Sequence, residues 1–325
     1  MYPGSLAYPG ALAFPGITSV IPPDPDPEVP IDPPIPAPTP RIDSTIRLTG
    51  NGLTVTLTDS PEKLHRRPGG SGWGMAPVVN AWFEGAGDGA RLRGTRRTQR
   101  ELVIPVDAFG DTRQDVEDNI RKLVAIIREP FLVHIDRTSG ESFYIEAVYE
   151  SGLEGVYSVA PEKWNQLNIV LKCPDPYWTS EAQQQLVIAP VEAAYPFVER
   201  LAALPVASSA AFGQVTIVNS GDVESRPSWT IHGPGSGLIL NIGGEGLILN
   251  RTLTSANIIY VYHNGVGWTI VDELGVNQYP LLATDPAPVF PVIPRGTSIA
   301  TVSMAGTDPN SFIRAVYPER REVVY

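Results

Sequence analysis

The stretch ELVIPVDAFGDTRQDVEDNIRKLVAIIREPFLVHID, Glu101 to Asp136, changes its hydrophobic period twice. Glu101-Leu102-Val103-Ile104-Pro105-Val106 is apolar and β-branched, as a strand should be. Val116, Ile120, Leu123, Val124 and Ile127 then fall on one face of a 3.6-residue repeat, which predicts a helix over about 111–128. Asp111 can cap that helix, with Gln114 completing a capping box. Glu117 with Arg121 and Asp118 with Lys122 stand four apart in the favourable order. Pro130 ends the helix, because the residue before a proline avoids the α region. At Phe131 the strand pattern resumes. A single helix inserted between strands makes the chain mainly β, since no other long helical period occurs.

Outward from this stretch the pattern is strand and turn. Ile46–Thr49 and Leu53–Leu57 flank Gly50-Asn51-Gly52, and Val78–Glu84 reads as a further strand. Phe131–Asp136 and Ser142–Tyr149 make a hairpin through Arg137-Thr138-Ser139-Gly140, and Gln166–Cys173 is a late strand. After a weakly periodic stretch, seven strands recur every 10 to 20 residues or so between Gln214 and Tyr317, the spacing of a β-sandwich. The expected organisation is an arm over 1–40, a β-rich domain with the helix over 41–180, a linker or connecting hairpin over 181–212, and a β-sandwich over 213–325.

The arm stands apart. It holds 13 of the 33 prolines and opens with Tyr2-Pro3-Gly4, Tyr8-Pro9-Gly10 and Phe14-Pro15-Gly16. Beyond Val20 prolines nearly alternate, interspersed with Asp24, Asp26, Glu28 and Asp32, a composition that favours polyproline II. Two readings stand: a disordered leader, or an arm whose Tyr2, Tyr8 and Phe14 dock on a neighbouring subunit. Net charge is −11, which argues against nucleic-acid binding over the whole surface. One cysteine, Cys173, excludes an intrachain disulfide and suits assembly in a reducing cytoplasm. No 18-residue apolar run offers a membrane span, and the N-terminus does not read as a secretory signal.

Catalytic chemistry leaves little trace. His65, His134, His232 and His263 are dispersed and lack metal-ligand spacing. Cys173 precedes Pro174 with no histidine nearby, so it reads as a small core residue. Gly233-Pro234-Gly235-Ser236-Gly237 has strands on both sides and no following helix, so it is a turn and not a phosphate loop. Only a carboxylate pair brought together in space would leave room for an enzyme. No catalytic, cofactor-binding or metal-ligating residue is expected. Trp229 and Trp268 could stack on sugar rings, but their strand pattern favours core packing. Arg91, Arg93, Arg96, Arg97 and Arg100 form a basic stretch among Gly85, Gly87, Gly89 and Gly94. It is a solvated loop, a subunit contact with an acidic surface, or a stretch that nucleic acid passes nearby, with Arg93, Arg96 and Arg97 as the candidate contact residues.

From Glu101 to Trp178 the chain resembles the first domain of siphophage distal tail proteins. The carriers are the strand Glu101–Val106, the capped helix, the Pro130-Phe131 restart, the hairpin through Tyr149, and the closing step Cys173-Pro174-Asp175-Pro176-Tyr177-Trp178. The segment Val218–Pro234, with Asn219-Ser220-Gly221-Asp222 and Pro227, is similar to that family's entry into a galectin-like sandwich, and Tyr317–Tyr325 to its arginine- and tyrosine-containing end. The resemblance implies a split-barrel or sandwich-like first domain and a galectin-like second. It also implies a non-enzymatic homohexameric ring in the virion, at the tail tip or baseplate, assembled in the host cytoplasm. Its partners would be the tail tube protein, the tape measure protein and the tail-tip hub or tail-associated protein, with no nucleic acid or membrane contact required. The alternative is a carbohydrate- or receptor-binding tail-tip protein.

Overall fold

The computed structural model describes residues 44–58, 63–85, 87–154, 163–190, 213–285 and 287–324. The arm over 1–40, with Tyr2, Tyr8 and Phe14, and residues 191–212 of the connection lie outside them. Strand β1 (Ser44–Gly50) turns into β2 (Leu53–Thr56) at Asn51-Gly52, whose φ values of 52° and 72° suit a two-residue hairpin turn. Then come β3 (Leu64–Arg66), the exposed pair β4 (Val78–Glu84) and β5 (Ala90–Arg97), and β6 (Arg100–Phe109). Helix α1 (Arg113–Ile127) follows, then β7 (Phe131–Arg137), β8 (Ser142–Ser151), β9 (Trp164–Cys173) and β10 (Trp178–Ile188).

These strands wrap around one core. β2, β1, β7 and β8 pair in that order. β8 then changes partner: Ser142–Ala147 face β7, and Val148–Ser151 face β9 with an irregularity between Tyr149 and Ser151. β9 pairs β6 from Arg100↔Cys173 to Phe109↔Trp164, and β6 pairs β3. Leu57 N–H donates to Ile46 O at 2.7 Å and Arg66 N–H to Leu57 O at 2.6 Å, carrying the circuit back to β1. A strand shared between two sheets is how a barrel turns a corner. Alternate residues of each strand point inward, so Ile46, Leu102, Ile104, Val133, Ile145, Ile169 and Leu171 fill the centre.

Helix α1 packs on β6, β1, β2 and β9 through Val116, Leu123, Ile126 and Ile127. Gly50 permits its close approach, since a Cβ there would lie 2.6 Å from Ile126 O and 2.7 Å from Phe131 Cβ. The N-cap is not Asp111 but Thr112, and the box partner is Asp115 rather than Gln114. Thr112 Oγ1 accepts from Asp115 N (3.2 Å), and the Asp115 carboxylate accepts from Thr112 N (2.9 Å). Both ends of a reciprocal cap are thereby met one residue later than expected. Asp111 instead pairs with Lys63 at 2.5 Å. Glu117 does reach Arg121, whereas Asp118 takes Arg121 and Gln114 rather than Lys122.

The second half contains β11 (Gly213–Asn219), β12 (Ser228–His232), β13 (Gly235–Ile242), β14 (Glu245–Leu253), β15 (Ile258–His263), β16 (Trp268–Asp272), β17 (Gly296–Ala305) and β18 (Phe312–Arg321). Two sheets, β16-β15-β12-β18-β10 and β11-β17-β13-β14, enclose a second core. Trp229, Ile231, Val261 and Ile313 meet Leu238, Leu240, Leu249, Val302 and Met304 there. The chain is thus mainly β with one α-helix among the described residues.

Residues 181–188, expected to belong to a connection, continue β10. Trp178 at its start lies in the first core and Ile188 at its end in the second. β18 pairs along β10 from Ile188↔Ile313 to Trp178↔Arg321, and Val324 beyond it enters the first core. Between Thr179 and Gln183 the register slips, leaving Glu181 in a bulge where it accepts from Arg47 (3.2 Å) and contacts His134 Nδ1 (2.6 Å). The β-ladder therefore runs from one core to the other across that bulge. On its other side β10 pairs β8 only at Thr179 and Ser180.

Candidate assembly surface

Hairpin β4–β5 pairs with no other strand among the described residues. Every residue of β4 is exposed, and so is all of β5 before Arg97. Trp82 is 57% exposed, and Phe83, Leu92, Val79 and Met75 are exposed as well. Apolar residues stand at consecutive positions, Val78-Val79 and Trp82-Phe83, so both faces of the ribbon are sticky. An isolated two-stranded ribbon of this kind is marginal in water, and exposed aromatic clusters mark contact surfaces. The local geometry is nevertheless defined. Ala81 faces Gly94 and Trp82 faces Leu92, which leaves Arg93 as the extra residue of a β-bulge. Its guanidinium lies 4.4 Å from the Phe83 ring centroid, so an apolar ring and a cation are offered together.

The five arginines, read together as a basic stretch, divide by depth. Arg91, Arg93 and Arg96 are on the exposed ribbon. Arg97 sits at its base, where Nε and Nη2 both donate to Glu322 Oε1, at 3.0 and 2.8 Å. Arg100 is fully buried. It donates to Gly72 O (2.5 Å), Gly74 O (2.7 Å), Pro176 O (2.7 Å) and Glu322 O (2.8 Å). Burial pushes its pKa down, with no carboxylate hydrogen-bonded to it. Repulsion among five clustered cations is therefore relieved inside the chain for two of them, which sequence alone did not show. Sequence reading also passed over Trp82, Phe83 and Leu92; the doubled apolar positions were the available signal.

The same seam gives the motifs their physical work. Asp175 of the Pro-Asp-Pro step pairs with Arg320, whose guanidinium lies 4.9 Å from the Tyr177 ring centroid and donates to Glu224 O. Asn219 is buried, accepts from Gly221 N (3.0 Å) and donates to Val223 O and Ile293 O. Asp222 accepts from Glu322 N (2.9 Å). These side chains dock the end of the first core and the start of the second on the two flanks of β18.

The fold of the described residues is similar to that of two solved phage proteins. One is the Dit (gp 19.1) protein of phage SPP1, described as a paradigm of the hub adsorption apparatus in phages infecting Gram-positive bacteria. The TM-score is 0.60 at 14% identity, over 85% of this chain and 98% of that one. The chain has the Dit fold. The second is a chain of the phage P2 baseplate in its activated conformation with Ca, with a TM-score of 0.50 at 10% identity, over 86% and 99%. No family model and no curated protein matches the sequence.

On this Dit fold the other candidates take ordinary places. Cys173 is buried, with its thiol pushed up to about 12 by burial. Trp229 is buried, and Trp268 stacks on Phe290 with centroids 5.2 Å apart and lies perpendicular to the His263 ring. A sugar platform needs a free ring face, and these positions give that role little support. No three His, Cys, Asp or Glu side chains among the described residues converge as a metal site, and no helix there is long and apolar enough to cross a membrane.

Proposed function

We propose that the protein is a structural component of a phage tail, a distal tail protein that forms a ring joining the tail tube to the tip or baseplate. The observation that supports it is the β4–β5 hairpin: a Dit-like body that presents an uncovered ribbon of Trp82, Phe83, Leu92 and Arg93. Such a ribbon calls for a second chain to cover it, and a closed ring of identical subunits supplies one at every position. Arg93 and Arg96 then meet carboxylates of a ring neighbour or of the tube protein, while Arg97 stiffens the hairpin base through Glu322. On this reading the molecule works through surfaces and carries no catalytic group. Its neighbours are copies of itself, the tail tube protein, the tape measure protein and the tip hub, and its place is the virion. Residues 1–40 act as an arm that reaches another chain through Tyr2, Tyr8 and Phe14, and 213–325 as a galectin-like domain. Symmetry analysis of the assembled tail tip tests it: six-fold density with the hairpin in the subunit contact is expected, and a single copy or a solvent-facing hairpin would overturn it.

A further inference from the structure

Ser44, the first described residue, lines a groove of about 330 Å³ together with Ile46, Arg66, Trp73, Ile135 and Val324. The groove combines an apolar wall with one cation. Arg66 lies 5.0 Å over the Trp73 ring, which is itself stacked on Trp178 at 5.9 Å. Nearby basic side chains have carboxylate partners: Arg47 has Asp136, Lys63 has Asp111 and Arg67 has Asp107. Arg66 has none among the described residues. Its Nε is buried without a hydrogen-bond acceptor, and so is Trp73 Nε1. Burial lowers the Arg66 pKa with no acidic neighbour to offset it. A desolvated cation beside unmet donors is costly until a carboxylate arrives from elsewhere.

The chain carries suitable carboxylates in a suitable setting. Asp24, Asp26, Glu28 and Asp32 each have a proline next to them in sequence, which sets acids beside apolar rings as the groove sets a cation beside an apolar wall. We propose that the Arg66–Trp73 groove receives the acidic proline-rich segment 24–32 of a second copy of this chain. The proposal rests on the ring reading and names the seat of the arm within it. The ring reading, in which the arm reaches another chain, decides between self and neighbour. Pro33, Pro34, Pro36, Pro38 and Pro40 separate Asp32 from Ser44. A subunit alongside is the natural recipient.

Carbodiimide coupling of the full-length Arg66→Lys variant tests this. Unlabelled and isotopically heavy chains are mixed before assembly, so linked peptides report whether they join one copy or two. Heavy-to-light links between position 66 and Asp24, Asp26, Glu28 or Asp32 are expected. Links only within one copy, or none in an assembled ring, overturn the proposal while leaving the ring reading intact. If no oligomer forms under any condition, both fail. A second variant leaves the folded body untouched: Asp24→Asn, Asp26→Asn, Glu28→Gln and Asp32→Asn together. It should weaken self-association roughly fivefold, with the difference shrinking at high salt. Unchanged association would also overturn the proposal.

Discussion

Arg100 shows how one residue can hold three segments. Four carbonyl oxygens, from Gly72, Gly74, Pro176 and Glu322, take the donors of its guanidinium in a fully buried site. The planar fork suits that task and an ammonium does not. Arg100→Ala leaves these carbonyls unpaired in a dry seam and should cost about 3–5 kcal/mol. Arg100→Lys should recover only part of that. Urea unfolding monitored by fluorescence measures both, and a loss under about 1 kcal/mol for the alanine variant would refute this clamping role. His134 makes a different forecast. Burial lowers its pKa, against the opposing hydrogen bond to Glu181, with Arg47 lowering it further. The unfolded chain therefore binds the proton first. Stability is full above the ordinary histidine range and falls as pH drops from there toward the depressed folded value. His232 and His263 are also lowered by burial, so they act in the same direction. His134→Gln should shallow the decline in urea midpoint between about pH 7.5 and 5.5 without abolishing it; an unchanged slope would mean that His134 does not titrate in this window.

At the scale of elements, helix α1 and hairpin β4–β5 separate stability from assembly. Thr112→Ala removes the side-chain acceptor of the cap and should cost about 1 kcal/mol in thermal unfolding, whereas Asp111→Ala should cost much less. The helix itself was legible because five apolar residues share one face and Pro130 closes it. Its cap was misplaced by one residue, because Asp111, Thr112 and Asp115 all offer capping oxygens and only the folded geometry chooses among them. For the hairpin the expectation reverses. Trp82→Ser with Leu92→Ser removes exposed apolar groups, so the midpoint of the isolated chain should hardly move while incorporation into tails falls. A lowered midpoint with normal incorporation would show that the ribbon packs on its own body. Arg93→Ser with Arg96→Ser should act likewise and make assembly less salt-dependent. Arg97 does not belong in that set, since its bond to Glu322 supports the hairpin base. Composition grouped Arg97 and Arg100 with the others because depth is set by partners such as Glu322 and Pro176, far away along the chain.

In the whole molecule, β10 and β18 each contribute to both cores. The mainly β reading came from local alternation and turns. The shared strands did not, because a strand that crosses a boundary looks locally like one strand followed by a linker. Calorimetry should show one cooperative transition for the described body; two well-separated transitions would mean that the two halves melt independently. The pairing also spans a long loop: Asp175 and Arg320 are 145 residues apart in sequence. On the ribosome, β10 is made early and waits with an open edge until β18 has cleared the exit tunnel. Through that interval it can bind chaperones or the same strand of a nascent neighbour on the same message. A chain cut short before β18 finishes neither core, so premature termination should yield a substrate for proteases rather than a defective subunit able to enter an assembly.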